Sequence, residues 1–128
     1  MKRSLFALTL AVACALSASA ADKKIVLVAG NPSHGPGEHE HRAGCLLFQA
    51  CLDKIPGITT VVVSNGWPKD LAVFDGAAAV VVYADGGGGH PFIQGERLKT
   101  IDALAKKGVG IGAVLKTDRG SLRDTFFR

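Results

Sequence analysis

The stretch Gly76 to Pro91, GAAAVVVYADGGGGHP, constrains this chain more than any other. Ala77 to Tyr83 is a run of small and β-branched residues opened by the turn pair Asp75-Gly76. It is too short for a typical helix and reads as a strand buried on both faces, which belongs in the middle of a sheet. The strand leads into Asp85, four consecutive glycines and His90-Pro91. A loop with so little side-chain bulk lets a ligand or another backbone approach its main chain closely.

The rest of the chain supplies partners for that strand. Lys23 and Lys24 precede the unbroken apolar run Ile25 to Ala29, which Gly30-Asn31-Pro32 ends sharply, so the first strand is also buried. From Glu38 to Ile55 the spacing becomes helical, with Cys45, Phe48, Leu52 and Ile55 on one face and Pro56-Gly57 as the stop. Glu38 and Glu40 fall in its first turn, where acidic groups suit the helix dipole, and Glu38 stands four residues before Arg42.

Thr59 to Ser64 is a second β-branched run. The Asn65-Gly66 pair after it permits a hairpin, but no strand pattern follows Trp67-Pro68, and Leu71 to Phe74 reads as a short turn. Beyond the glycine loop, Ile93 to Lys107 reads as a helix with Leu98, Ile101, Leu104 and Ala105 inward and Lys106-Lys107-Gly108 as its stop. Val109 to Val114 is the fourth strand.

Strands alternating with helical segments imply an α/β fold of parallel strands joined by right-handed crossovers. A three-layer, flavodoxin-like sheet in the order 2-1-3-4 satisfies this pattern. Its switch point lies between strands one and three, where crossovers leave in opposite directions and open a crevice at the carboxyl ends. The loop His34 to Gly44 and the loop Asp85 to Pro91 then become neighbours.

The amino terminus sets the compartment. Lys2 and Arg3, the apolar core Leu5 to Leu16 and the A-x-A site Ala18-Ser19-Ala20 make residues 1–20 a secretory signal peptide, so the chain is expected to be exported, to the periplasm or beyond. A membrane span needs about 20 apolar residues, and Ser17 and Ser19 cut this core short. A lipoprotein acylated at Cys14 is disfavoured by Ala11, where a larger aliphatic residue is usual.

Removing 20 of the 128 residues leaves 108, enough for one domain with a single core. Thirteen basic residues then face eleven acidic ones with no basic cluster interleaved with aromatics, which speaks against a nucleic-acid partner. Cys45 and Cys51 remain; six apart on one helix, they stand about 120° apart and cannot bridge each other. They read as small apolar residues on a helix face, with a bridge to another chain left open in an oxidising compartment.

At KKIVLVAGNPSHGPGEHEHRAG, VVVSNGWPKD and VVVYADGGGGHPFIQGERL the sequence resembles the trehalose-utilisation, or ThuA-like, family, in particular its exported bacterial members. The resemblance covers most of Lys23 to Val114. It implies the flavodoxin-like core of class I glutamine amidotransferases and carbohydrate-related work without a settled reaction. Family members usually run on beyond the fourth strand into a histidine-containing segment. Here Val114 leads into a divergent polar tail, 115–128, so the domain read over 21–114 is expected to be incomplete on its C-terminal side. The glycine-interrupted strand Gly110 to Val114 also reads as one meant to be covered. Glutamine amidotransferases carry their cysteine nucleophile after the corresponding strand; no cysteine follows Gly108, and glutaminase chemistry is rejected.

The crevice residues carry what chemistry the chain offers. Asp85 and His90, flanking the glycines, and His34 opposite them are the candidate catalytic residues, because carboxylate and imidazole bond hydroxyls and move protons on a polyhydroxylated ligand. Glu38, His39 and Gly86, Gly87, Gly88 and Gly89 are the candidate ligand-binding residues. The glycines lack both the phosphate-loop and the dinucleotide patterns, so close packing competes with anion binding there, and no cofactor is named. On a helix begun by Glu38, His39 and His41 stand about 200° apart, and only an extended His-Glu-His segment aims them together. No metal site is therefore assigned. His41 facing Cys45 one turn later reads as packing before metal binding, as does Trp67 beside Pro68 before sugar stacking. Three outcomes follow: a sugar-processing enzyme, a non-catalytic carbohydrate-binding module, or an inactive truncated fragment. The residues leave open which sugar is bound and in what oligomeric state.

Overall fold

In the computed structural model, which describes residues 22–116, four strands form one all-parallel sheet. They are β1 (Lys23–Ala29), β2 (Ile58–Val63), β3 (Ala77–Asp85) and β4 (Gly110–Lys116), in the order β2-β1-β3-β4. Two helices connect them, α1 (His41–Leu52) between β1 and β2 and α2 (Arg97–Lys106) between β3 and β4. A 3-10 turn at Leu71–Phe74 takes the place of a helix between β2 and β3. The flavodoxin-like order expected from the apolar runs is therefore the order observed. The expected leader with its cleavage site, and the tail from Thr117 onward, lie outside the described residues.

The alternation of side chains along each strand builds two cores, one per face. Leu27, Ala29 and the α1 residue Cys45 are buried together, with Ile25, Phe48, Val62, Val81 and Tyr83 packed against them. On the opposite face Val26, Val28, Val80, Val82 and Ala84 are buried with Phe74 and Phe92, and Ile101 and Leu104 of α2 pack on them. Val26, Val28, Val80 and Val82 keep no exposed surface. At about 1.5–3 kcal/mol for each fully buried side chain of this kind, the β1–β3 pair is the anchor of the sheet. α1 on one face and α2 with the 3-10 turn on the other make three layers. Connections running toward β2 and toward β4 thus use opposite faces, as crossovers of one hand require, and the switch point falls between β1 and β3.

Several local expectations are corrected. α1 starts at His41 rather than Glu38. Gly37 takes φ +85°, Glu38 N–H bonds the Gly35 carbonyl, and the two carboxylates turn back to accept from turn amides, Glu38 from Gly35 N at 3.3 Å and Glu40 from Gly37 N at 2.8 Å. Glu38 thus serves the turn rather than the helix dipole or Arg42. α1 also stops at Leu52, which leaves Ile55 exposed.

α2 begins at Arg97 rather than Ile93, because Pro91–Ile93 forms a 3-10 turn and Gly95 takes φ +53° before the helix can start. It meets the core through Ile101 and Leu104, while Leu98 and Ala105 face solvent. Cys51 is exposed, so only Cys45 fills the helix face. β4 continues to Lys116, two residues past the expected end, and its Ile111 and Val114 are partly exposed. Asn65-Gly66 makes a turn, not a hairpin: Asn65 sits at φ 63° and Gly66 N–H bonds the Ala29 carbonyl at 2.8 Å. Among the described residues, no helix is long and apolar enough to cross a membrane.

Candidate functional site

β1 and β3 end side by side, and their loops meet where the sheet's topology leaves a crevice. Gly30 N–H bonds the Tyr83 carbonyl at 2.8 Å, and a β-carbon at Gly30 would stand 2.7 Å from the Ala84 β-carbon and 3.2 Å from His41 Nδ1. A side chain there has no room, so the β1 loop leaves flush against the end of β3 and hangs its histidines over Asp85. A depression of about 310 Å³ lies along Gly30, Pro32, His34, His39, His41 and Asn65. A second one shares Gly30 and Pro32 with it and runs past Ser33, Asp85 and Gly89.

Asp85, the last residue of β3, is the centre of the cluster. Its Oδ1 lies 2.7 Å from His39 Nδ1 and 3.3 Å from His41 Nε2. The side chain keeps 31 % of its surface exposed, yet Oδ1 is buried and neither imidazole meets it with hydrogen-bond geometry. Burial pushes the Asp85 carboxyl up, but the Ser33 hydroxyl and the charges of His41 and His39 outweigh it and hold the group below its ordinary value. Asp85 is an anion at neutral pH.

His39 lies ahead of the helix, and this is why it and His41 converge instead of diverging. The helical geometry that would send them to different sides does not apply to His39. Ser33 Oγ ties the loop together, 3.0 Å from His34 Nδ1 and 3.2 Å from His39 Nδ1, and the His34 and His39 rings lie 3.8 Å apart between centroids. His41, fully inside, stands 3.1 Å from the Asn31 carbonyl through Nδ1 and 5.4 Å from the Tyr83 ring, edge on. It faces the crevice, whereas Cys45 one turn later is sealed in the core with its thiol pushed up to about 11 by burial.

The fold therefore brings together His34, His39 and Asp85 of the sequence-derived candidates. Gly89 borders the crevice, and Glu38 is spent on the Gly35 turn. His90 is placed differently. It is buried, its Nδ1 accepts from Phe92 N–H at 3.2 Å to cap the Pro91–Ile93 turn, and its ring meets Phe92 edge on. Burial lowers its pKa and keeps it neutral. It lines neither depression.

The glycines are not there for close packing. Gly88 and Gly89 have nothing within 4 Å of where a β-carbon would sit, and Gly87 adopts φ +73° in equally open space. Trp67 is held between Phe74 and Phe92, with the Arg97 guanidinium 5.5 Å from its ring centroid, which fits packing. Ser33, Asn31 and His41 complete the cluster without having been singled out as candidates. The signal for Ser33 was Gly35-Pro36-Gly37: a helix does not begin through that triplet, so Ser33 and His34 before it belong to an irregular segment, while His41 opens α1.

Comparison of the chain with models of known protein families, with curated proteins and with solved structures finds no match.

Proposed function

We propose that this chain is an exported ThuA-like domain protein that binds a small carbohydrate in the crevice and acts on it by acid–base chemistry, without glutaminase activity. The observation that carries the reading is the Asp85 carboxylate held 2.7 Å from His39 Nδ1 at the switch point of the sheet, beside open space. A carboxylate against an imidazole orients the ring and stabilises its charged form, the arrangement that general acid–base catalysis uses on hydroxyl groups. His34 joins them through Ser33, and the bare glycine loop admits a ligand to the same edge. The sugar class rests on the resemblance of the Lys23–Gly44 and Val80–Leu98 stretches to that family, and export rests on the character of residues 1–20.

A second reading, a module that holds a carbohydrate without turning it over, is favoured by one observation. His90, the expected partner of Asp85 across the glycines, is occupied as a buried cap. Incubating the purified chain with trehalose and related disaccharides, with chromatographic detection of products, separates the two. Loss of turnover by about 10²–10⁴-fold in Asp85→Asn, with binding kept, supports catalysis. Binding without turnover in the unaltered chain supports the module, and neither binding nor turnover contradicts both.

A further inference from the structure

We infer that His34, His39 and Asp85 form a site for one divalent transition-metal ion, with His41 facing the same ion from inside the fold. The inference goes beyond the carbohydrate reading and stands or falls separately from it. One nitrogen of each of His34 and His39 and one carboxylate oxygen of Asp85 lie within 4.8 Å of one another. Zinc bonds such donors at about 2.0–2.2 Å, which sets two donors on a tetrahedral ion about 3.3–3.6 Å apart. His39 Nδ1 and Asp85 Oδ1, at 2.7 Å, need to open by less than about an ångström, and His34 stands on the exposed loop beside them. Two imidazoles and one carboxylate suit zinc and its first-row neighbours, not magnesium or calcium.

His41 supplies an independent observation. A carbonyl oxygen only accepts, so the 3.1 Å contact with Asn31 O makes His41 Nδ1 the donor there and leaves Nε2 as the ring nitrogen on the Asp85 side. Nε2 is buried without a hydrogen-bond partner and lies 3.3 Å from the equally unsatisfied Asp85 Oδ1. One cation shared by the two atoms would satisfy both, and 3.3 Å is the spacing of two donors on one ion. A supporting imidazole of this kind typically changes metal affinity about 10–100-fold.

The test uses the untagged full chain, stripped with a chelator and titrated with zinc by calorimetry at neutral pH. The expected result is saturable binding of one zinc per chain. His39→Ala and Asp85→Asn should each weaken it by more than about 10-fold and His41→Gln by about 10–100-fold, while His90→Asn binds as the unaltered chain does. Cobalt(II) loaded into the unaltered chain should give the visible absorption of a four- or five-coordinate ion, a readout that does not depend on any variant folding. Absence of saturable zinc binding, stoichiometric binding undiminished in both His39→Ala and Asp85→Asn, or a cobalt spectrum no different from that of the hydrated ion overturns the assignment.

Discussion

Gly44 of α1 lies so close to Tyr83 of β3 that a β-carbon on it would fall 2.2 Å from the ring's Cε1. That contact sets how near α1 can approach the sheet, and through it where His41, three residues earlier on the same helix, stands over the end of β3. Tyr83 touches both, with its ring edge on to His41. Gly44→Ala should therefore cost about 1–3 kcal/mol, the usual penalty for overpacking a filled interior, and should disturb the His41–Asp85 contact. Urea denaturation of the variant measures the first effect. A loss below about 0.5 kcal/mol would mean that the helix moves freely.

The glycine loop should respond in the opposite way. Gly88→Ala and Gly89→Ala meet no atom within 4 Å, so stability should change by no more than about 0.5 kcal/mol, as for exposed sites generally. Gly87, at φ +73°, should lose about 1–2 kcal/mol on replacement by alanine, the cost of a left-handed backbone for an L-residue. Equal costs at all three positions would show that the loop is packed rather than open.

His90 should make the fold acid-sensitive. An unfolded histidine titrates near 6.5, and burial lowers the value in the folded chain. Below about pH 6.5 the unfolded chain therefore takes up a proton that the folded chain resists, and stability falls as pH drops toward the folded value. His90→Asn keeps an acceptor for Phe92 N–H and removes the titration. Its unfolding free energy should decline less between pH 7 and 5 than that of the unaltered chain. Identical pH slopes in the two proteins would rule His90 out as the cause.

Sheet order and strand pairing were legible because the apolar runs at 25–29, 59–64 and 77–83 are β-branched and each is closed by turn residues, so period and length agreed. Helix starts were not. Glu38 and Glu40 have the composition of a first helical turn, yet their carboxylates serve the amides of Gly35 and Gly37, a choice made by three-dimensional turn geometry that spacing cannot express. The same three-residue displacement decided the histidines. Counted as helical, His39 and His41 diverge; with His39 outside the helix they meet on Asp85. The burial of His90 was not legible for another reason: adjacency to the glycines says nothing about the Phe92 turn that encloses it.

Export makes a prediction at the other end of the chain. Ala18-Ser19-Ala20 should direct cleavage before Ala21, so N-terminal sequencing of protein recovered from outside the cytoplasm should begin Ala-Asp-Lys-Lys. A product that retains Met1, or one that begins at an acylated Cys14, would contradict the leader as read.

We propose that this protein meets its ligand in the crevice between the β1 and β3 loops. Backbone-amide NMR of the assigned full chain, titrated with trehalose and with glucose, tests it residue by residue. Saturable shifts confined to residues 31–41 and 85–89 are expected, with the Asp85→Asn variant changing the shifts at the histidines first. Shifts gathered instead around Trp67, Gln94 and Arg97, which line a separate shallow depression, or no shifts with either sugar, would contradict it.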